Sequence, residues 1–144
     1  MILDALKNSV KKQDIGEIKS IFFTIFSRRP TPEKINENLK YCFENGIDKN
    51  KLFMAHDGEI LDDFVKNWDN DYYSNQVGKL RNNFSKERIT HLIKMADFLF
   101  GEENKKKAEN KANKESMQNK KDNTFIYIAV GTVAALIALV FASI

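Results

Sequence analysis

The chain has 144 residues, of which 42% are hydrophobic and 30% are charged, with 23 basic and 20 acidic side chains. The net charge is +3, and a single cysteine excludes an internal disulfide. Arg28 and Arg29 stand together at a predicted helix end, but two arginines do not make a nucleic-acid-binding face. The charge is uneven, because residues 57–71, here called the acidic segment, carry one basic and six acidic side chains. The basic one is Lys66, and the acidic ones are Asp57, Glu59, Asp62, Asp63, Asp69 and Asp71.

Helical periodicity begins at the first residues of the chain. Leu3, Leu6 and Val10 repeat at helix spacing and predict a first amphipathic helix. Asp14 is followed three residues later by Glu17, which is the pattern of a capping box at the start of a second helix. The apolar positions of this helix predict that it is largely buried; they are Ile18, Ile21, Phe22, Ile25 and Phe26.

A third helix is predicted from its punctuation. Pro30 ends the second helix, Thr31 is placed to cap the next one, and Pro32 stands at its first position, where the missing N–H does no harm. Gly46 is placed for the left-handed turn after the helix. Its apolar face consists of Ile35, Leu39, Cys42 and Phe43. The position of Cys42 on this face predicts a buried, unreactive thiol.

The acidic segment and the two tyrosines after it interleave aromatic and acidic side chains. Protein-binding surfaces combine ring area for affinity with charge for steering, so this pattern predicts a partner-binding surface. The candidate residues are Asp62, Asp63, Trp68, Asp69, Tyr72 and Tyr73. The simpler alternative is a helix whose buried stripe is Ile60, Leu61, Phe64 and Trp68. This alternative, favoured for Trp68 because large aromatics are usually buried, makes Asp71 the cap of the next helix.

Two more helices complete the predicted bundle. A short one lies within residues 72–83 and directs Val77 and Leu80 inward. The last begins at Ser85 as N-cap and ends at Gly101. Its apolar face consists of Ile89, Leu92, Ile93, Ala96, Leu99 and Phe100.

Signatures of catalysis are missing from the sequence. There is no glycine-rich phosphate loop, no nucleophile elbow and no paired zinc-ligand motif. His56 precedes several acids, but only His91 is left to complete a histidine pair, and His91 falls beside the apolar stripe as a boundary or surface residue. We therefore expect no enzyme activity, no cofactor and no metal site.

Residues 124–144 contain no charged side chain. The 20 residues from Phe125 would span roughly 30 Å as a helix, the thickness of a bilayer core, so the sequence predicts a transmembrane helix. Lysines precede this span and none follows it, which predicts a cytoplasmic N-terminal domain. The basic residues that flank the membrane are Lys114, Lys120 and Lys121. This arrangement resembles that of tail-anchored membrane proteins.

The sequence thus predicts an all-α fold in three parts. Residues 1–101 form a small cytosolic bundle of five or six helices, residues 102–123 a charged linker that is either flexible or helical, and residues 124–144 a single-pass anchor. The richness in asparagine, lysine and isoleucine is typical of AT-rich bacterial genomes and suggests a bacterial inner membrane.

The expected function is that of a membrane-tethered adaptor or scaffold without catalysis. Its partners are the lipid bilayer and another protein, and no nucleic acid is expected. The alternative is a holin-like or toxin-like effector whose span oligomerises and acts on the bilayer under control of the helical domain. Small residues at four-residue spacing permit such close packing of the span. They are Gly131, Ala134, Ala135, Ala138 and Ala142.

Overall fold

A computed structural model describes residues 1–116, and within them all regular structure is helical. The elements are α1 (Asp4–Lys11), α2 (Ile15–Ser27), α3 (Pro32–Glu44), α4 (Lys49–Leu52), a 3₁₀ turn (Val65–Asn67), α5 (Asn70–Leu80) and α6 (Lys86–Ser116). The prediction of an all-α fold with five or six helices is confirmed for this part of the chain.

The predicted membrane span lies outside the described residues, as do the flanking Lys120 and Lys121 and the whole small-residue face from Gly131 to Ala142. Lys114 belongs to the last turns of α6. None of the helices within residues 1–116 is both long enough and apolar enough to cross a bilayer.

The helix starts follow the capping residues that the sequence indicates. The Asp14 carboxylate accepts the Glu17 N–H at 3.0 Å, and the Thr31 hydroxyl accepts the Lys34 N–H at 3.2 Å. Gly46 follows α3 with a φ of 92°, the left-handed conformation in which glycine carries no steric penalty. These local predictions are confirmed.

The core forms where α5 packs between α2 and α6, with α1 against α2 and α3 against α6. Phe84 lies at its centre, with its ring centroid 5.9 Å from those of both Phe22 and Phe53. Cys42 is fully buried, and burial raises the pKa of its thiol to about 12, so the predicted inert cysteine is confirmed.

The predicted end of the last helix at Gly101 is wrong, because α6 continues to Ser116. The residues after Gly101 are mostly glutamate, lysine and alanine, which are strong helix formers, and they offset the roughly 1 kcal/mol that one glycine costs in a helix. Glu103 and Lys107, four residues apart and therefore one turn apart, form an ion pair at 2.9 Å that further stabilises the helix. Residues 102–116 of the predicted linker are therefore helical.

The predicted buried helical stripe of the acidic segment is also wrong. Between α4 and α5 the only helical turn is the 3₁₀ turn, and Ile60 and Phe64 are exposed. Aspartate side chains bond to backbone N–H groups two residues ahead, Asp57 to that of Glu59 and Asp62 to that of Phe64, and this local bonding competes with helix formation.

The cap of α5 is Asp69 and not the predicted Asp71, since the Asp69 carboxylate accepts the Tyr72 N–H at 2.7 Å. Replacement of Asp69 by alanine should lower the free energy of unfolding by about 1 kcal/mol, because an N-cap bond is lost. Asp69→Asn keeps an acceptor and should restore most of this stability. Asp71→Ala removes only a first-turn charge and should cost about 0.3 kcal/mol. Thermal unfolding of the full chain measures all three, and equal losses for the two alanine variants would contradict the assignment.

Candidate protein-binding surface

The acidic segment is preceded by two backbone attachments to the turn before α6. The Met54 N–H donates to the Phe84 carbonyl at 2.9 Å, and the Asn83 side-chain Nδ2 donates to the Ala55 carbonyl at 2.8 Å. These bonds fix where the chain leaves the core after α4, since both partners in the turn are buried.

A fully buried arginine on α6 holds the first part of the acidic segment. Arg88 has 0% exposure, and its Nη2 donates to both carboxylate oxygens of Asp57 at 3.0 Å. Its Nη1 donates to Glu59 Oε2 at 2.8 Å and to the side-chain oxygen of Gln76 on α5. A buried guanidinium is stable only when it is paired and hydrogen-bonded, so these contacts fix the path of the segment.

Glu59 connects this cluster to α5 through a second cation. The Lys79 ammonium on α5 pairs with Glu59 Oε1. The hydrogen bonds that the Glu59 carboxylate accepts from Lys79 and from Arg88 lower the pKa of Glu59 to about 2. His56 adds two more contacts, from Nε2 to the Glu59 carbonyl at 2.7 Å and from Nδ1 to the Ser85 hydroxyl at 3.1 Å.

The second part of the segment is held by a Tyr72–His91–Trp68 group. The Tyr72 hydroxyl accepts the Asp62 N–H and lies 3.0 Å from His91 Nε2. The Trp68 indole donates to the Asp62 carbonyl at 2.6 Å, and its ring packs edge-on against His91 and Phe98. Trp68 is therefore half-buried. It is neither the fully buried core residue nor the fully exposed binding residue of the two sequence-based interpretations.

His91 is not the boundary or surface residue that the sequence predicts, since it is 3% exposed. Tyr72 covers it from α5 and Trp68 from the acidic segment, and the Asp63 carboxylate lies 3.7 Å from its Nδ1. His91 lies beside the apolar stripe of α6, and it is buried because α5 and the acidic segment both pack over it.

The apolar side chains of Ile60 and Phe64, in the acidic segment, are exposed to solvent. Ile60 is 93% exposed and Phe64 is 68% exposed, while Asp63 beside them is also exposed. Residues 60–64 line an open hollow of about 630 Å³. Phe98 extends this apolar area on α6 through its contact with Trp68.

The predicted partner-binding residues divide into two groups. The structure brings Asp62, Asp63, Trp68 and Tyr72 together around the surface. Asp69 caps α5 instead. Tyr73 points the opposite way, is 3% exposed and donates its hydroxyl to the Phe26 carbonyl at 2.6 Å in the core.

Sequence analysis missed two features of this surface. The first is the exposure of Ile60 and Phe64, which their helical spacing argued against. The second is Arg88, although it lies one turn before Leu92 and next to Ile89, within the apolar stripe of the last helix. An arginine inside a buried stripe is a signal for a buried ion pair.

Within residues 1–116 no three histidine, cysteine, aspartate or glutamate side chains are grouped in a way that could hold a metal ion. The chain matches no protein-family model, no curated protein and no solved structure.

Replacement of Arg88 by methionine should detach the first part of the acidic segment. The change removes the guanidinium that holds Asp57 and Glu59 and leaves the Asp57 carboxylate, which is 44% exposed, to water, so the loss of these charge-assisted bonds should cost about 1.5–3 kcal/mol of unfolding free energy. Hydrogen exchange of the full chain should accelerate at residues 55–64. Lys79→Met is the matched control, because it removes a half-exposed partner of the same Glu59 and should cost about 1 kcal/mol or less. Equal effects of the two variants would show that burial of Arg88 is not what holds the segment.

The buried His91 should make the protein less stable in mild acid. Burial, opposed by Asp63 and Asp62 and reinforced by Lys94 and Arg88, lowers the pKa of His91 below its ordinary 6.5. The unfolded chain then takes up the proton first, so stability is complete above pH 6.5 and is lost as the pH falls through the lower folded pKa.

The slope is at most about 1.4 kcal/mol per pH unit, the value that corresponds to one whole proton. Denaturant unfolding of the full chain between pH 7.5 and pH 5 measures it. The variant His91→Gln lacks the titrating group and should flatten this dependence. A wild-type slope that persists unchanged in the variant would assign the effect to another group.

Proposed function

We propose that this chain is a membrane-tethered helical interaction module that binds another protein through the acidic segment and performs no catalysis. The tether is the predicted span at residues 124–144, and the helical part faces the cytoplasm, as the basic flank before the span indicates. Tethering raises the effective concentration of the module at the membrane without any additional contact.

One observation carries the binding proposal. Ile60 and Phe64 are exposed although the segment is attached on both sides of them. Arg88 holds the Glu59 side chain, Tyr72 holds the Asp62 backbone, and the Trp68 ring packs on α6. An exposed apolar side chain on a loose loop needs no explanation, but one held outward by buried polar contacts is pre-organised for a partner.

The charge of the surface favours a basic partner. Arg88 and Lys79 neutralise Asp57 and Glu59. The rest of the segment carries four negative charges and one positive charge, that of Lys66. The negative charges belong to Asp62, Asp63, Asp69 and Asp71. Negative charge around exposed rings steers a basic protein surface with apolar side chains of its own.

The test is crosslinking in the cell from the full chain in its membrane. A photoreactive amino acid at Asp63, which is exposed, should capture one dominant foreign protein. Phe64→Ser should reduce the crosslink about tenfold or more, because a central aromatic contact is worth at least 1.4–2 kcal/mol. Phe64 is exposed, so this change should leave the fold intact.

Asn8→Ser is the matched control, since Asn8 is exposed on α1 and should leave the crosslink unchanged. A foreign crosslink of undiminished yield in Phe64→Ser would remove the acidic segment as the binding surface. Crosslinks between copies of this chain alone would favour the other proposal, an oligomerising membrane effector.

A further inference from the structure

A second concave site lies between α2, α5 and α6, on the side of α5 that faces away from the acidic segment. It has a volume of about 220 Å³. Phe23, Val77 and Phe100 provide apolar walls, and Ser27, Ser74 and Arg29 provide polar groups. None of the nine lining residues is acidic. We call this site the α2–α5–α6 crevice.

Gly78 is an exposed residue of α5 that lines the crevice. It lies inside α5, where glycine costs about 1 kcal/mol relative to alanine, and it does not have the positive φ that would require glycine. A Cβ atom placed on Gly78 would meet nothing within 4 Å, so no close packing requires glycine either. Neither the backbone nor the packing therefore requires a glycine at this position.

Arg29 also occupies a position that the backbone does not favour. It follows α2 with a φ of 55°, in the left-handed region where glycine is the usual residue after a helix. Its guanidinium lies 4.9 Å from the centroid of the Phe100 ring. An arginine at a glycine position places a cation at the rim of the crevice, and conformational strain of this kind is common at ligand sites.

A second arginine, Arg81, contacts Phe23 but does not itself line the crevice. The Arg81 guanidinium lies 3.9 Å from the centroid of Phe23. Among the described residues neither Arg29 nor Arg81 forms an ion pair with a carboxylate. Glu103, whose charge acts on Arg29, is itself paired with Lys107 at 2.9 Å. Arg29 therefore lies near one carboxylate without forming an ion pair with it.

We propose that the α2–α5–α6 crevice binds a small organic anion that carries one ring. The carboxylate or phosphate group pairs with Arg29, as guanidinium groups do with both anions, and the ring lies between Phe23, Val77 and Phe100. A cavity of about 150 Å³ holds one benzene molecule, so 220 Å³ suits one ring with an acid group and is too small for a nucleotide or a drug-sized ligand.

The test uses ¹⁵N-labelled full chain and three probes, with detergent alone as the blank. Sodium benzoate and phenyl phosphate distinguish the two acid groups, and benzyl alcohol is the uncharged comparison. At least one anion should give saturable shifts of the Gly78 and Ser74 amide signals. Benzyl alcohol should bind about tenfold more weakly, because it lacks the charge-assisted bond. No saturable shift from either anion up to about 10 mM, ten times a 1 mM Kd, would overturn the proposal.

Two variants remove the site without harming the fold. Gly78→Leu fills the crevice while raising helix propensity, and it should abolish the shifts without lowering the melting temperature. Arg29→Gly relieves the left-handed backbone and removes the cation, and it should weaken anion binding about tenfold. Asn75→Leu introduces the same leucine at another exposed position of α5 and should leave binding unchanged. Shifts that persist undiminished in Gly78→Leu would place the anion elsewhere.

Discussion

The buried charge of Arg88 is the constraint on which the arrangement of the acidic segment depends. A guanidinium without water needs acceptors for its N–H groups, and α6 offers none, because its own backbone acceptors are engaged in the helix. Asp57 and Glu59 supply them from the acidic segment, and Gln76 supplies one from α5. Once these contacts form, the chain after α4 has to pass over the junction of α5 and α6 and is no longer free to form a helix of its own.

The exposure of Ile60 and Phe64 follows from that path. Glu59 is directed inward to Arg88, Tyr72 holds the backbone of Asp62, and the Trp68 ring packs against α6. Ile60 lies between the first two attachments and Phe64 between the last two, so both side chains have little choice of direction. Hydrogen bonds from aspartate side chains to backbone N–H groups two residues away further restrict these turns. A partner that binds here meets a surface that is already ordered, so little conformational entropy is lost on binding.

The sequence predicts the parts of the fold that depend on local interactions. The caps at Asp14 and Thr31 and the left-handed Gly46 are decided within a few residues, and the structure confirms them. The conformation of the acidic segment depends on Arg88, which lies 31 residues from Asp57. The local helical spacing around Ile60 therefore predicted the wrong structure. His91 is a similar case, because its burial depends on Tyr72, 19 residues away. The crevice cannot be read from sequence at all, since its walls come from three helices.

Helix α5 separates the two candidate sites of this protein. At 3.6 residues per turn, Tyr72, Gln76 and Lys79 share one face, which holds the acidic segment. Tyr73, Val77 and Gly78 lie around the opposite side and line the crevice. The neighbours Tyr72 and Tyr73 show the division most clearly, because one hydroxyl binds the acidic segment and the other binds the Phe26 carbonyl of α2. A substitution on one face of α5 therefore leaves the contacts of the other face in place, and the two sites can be perturbed separately.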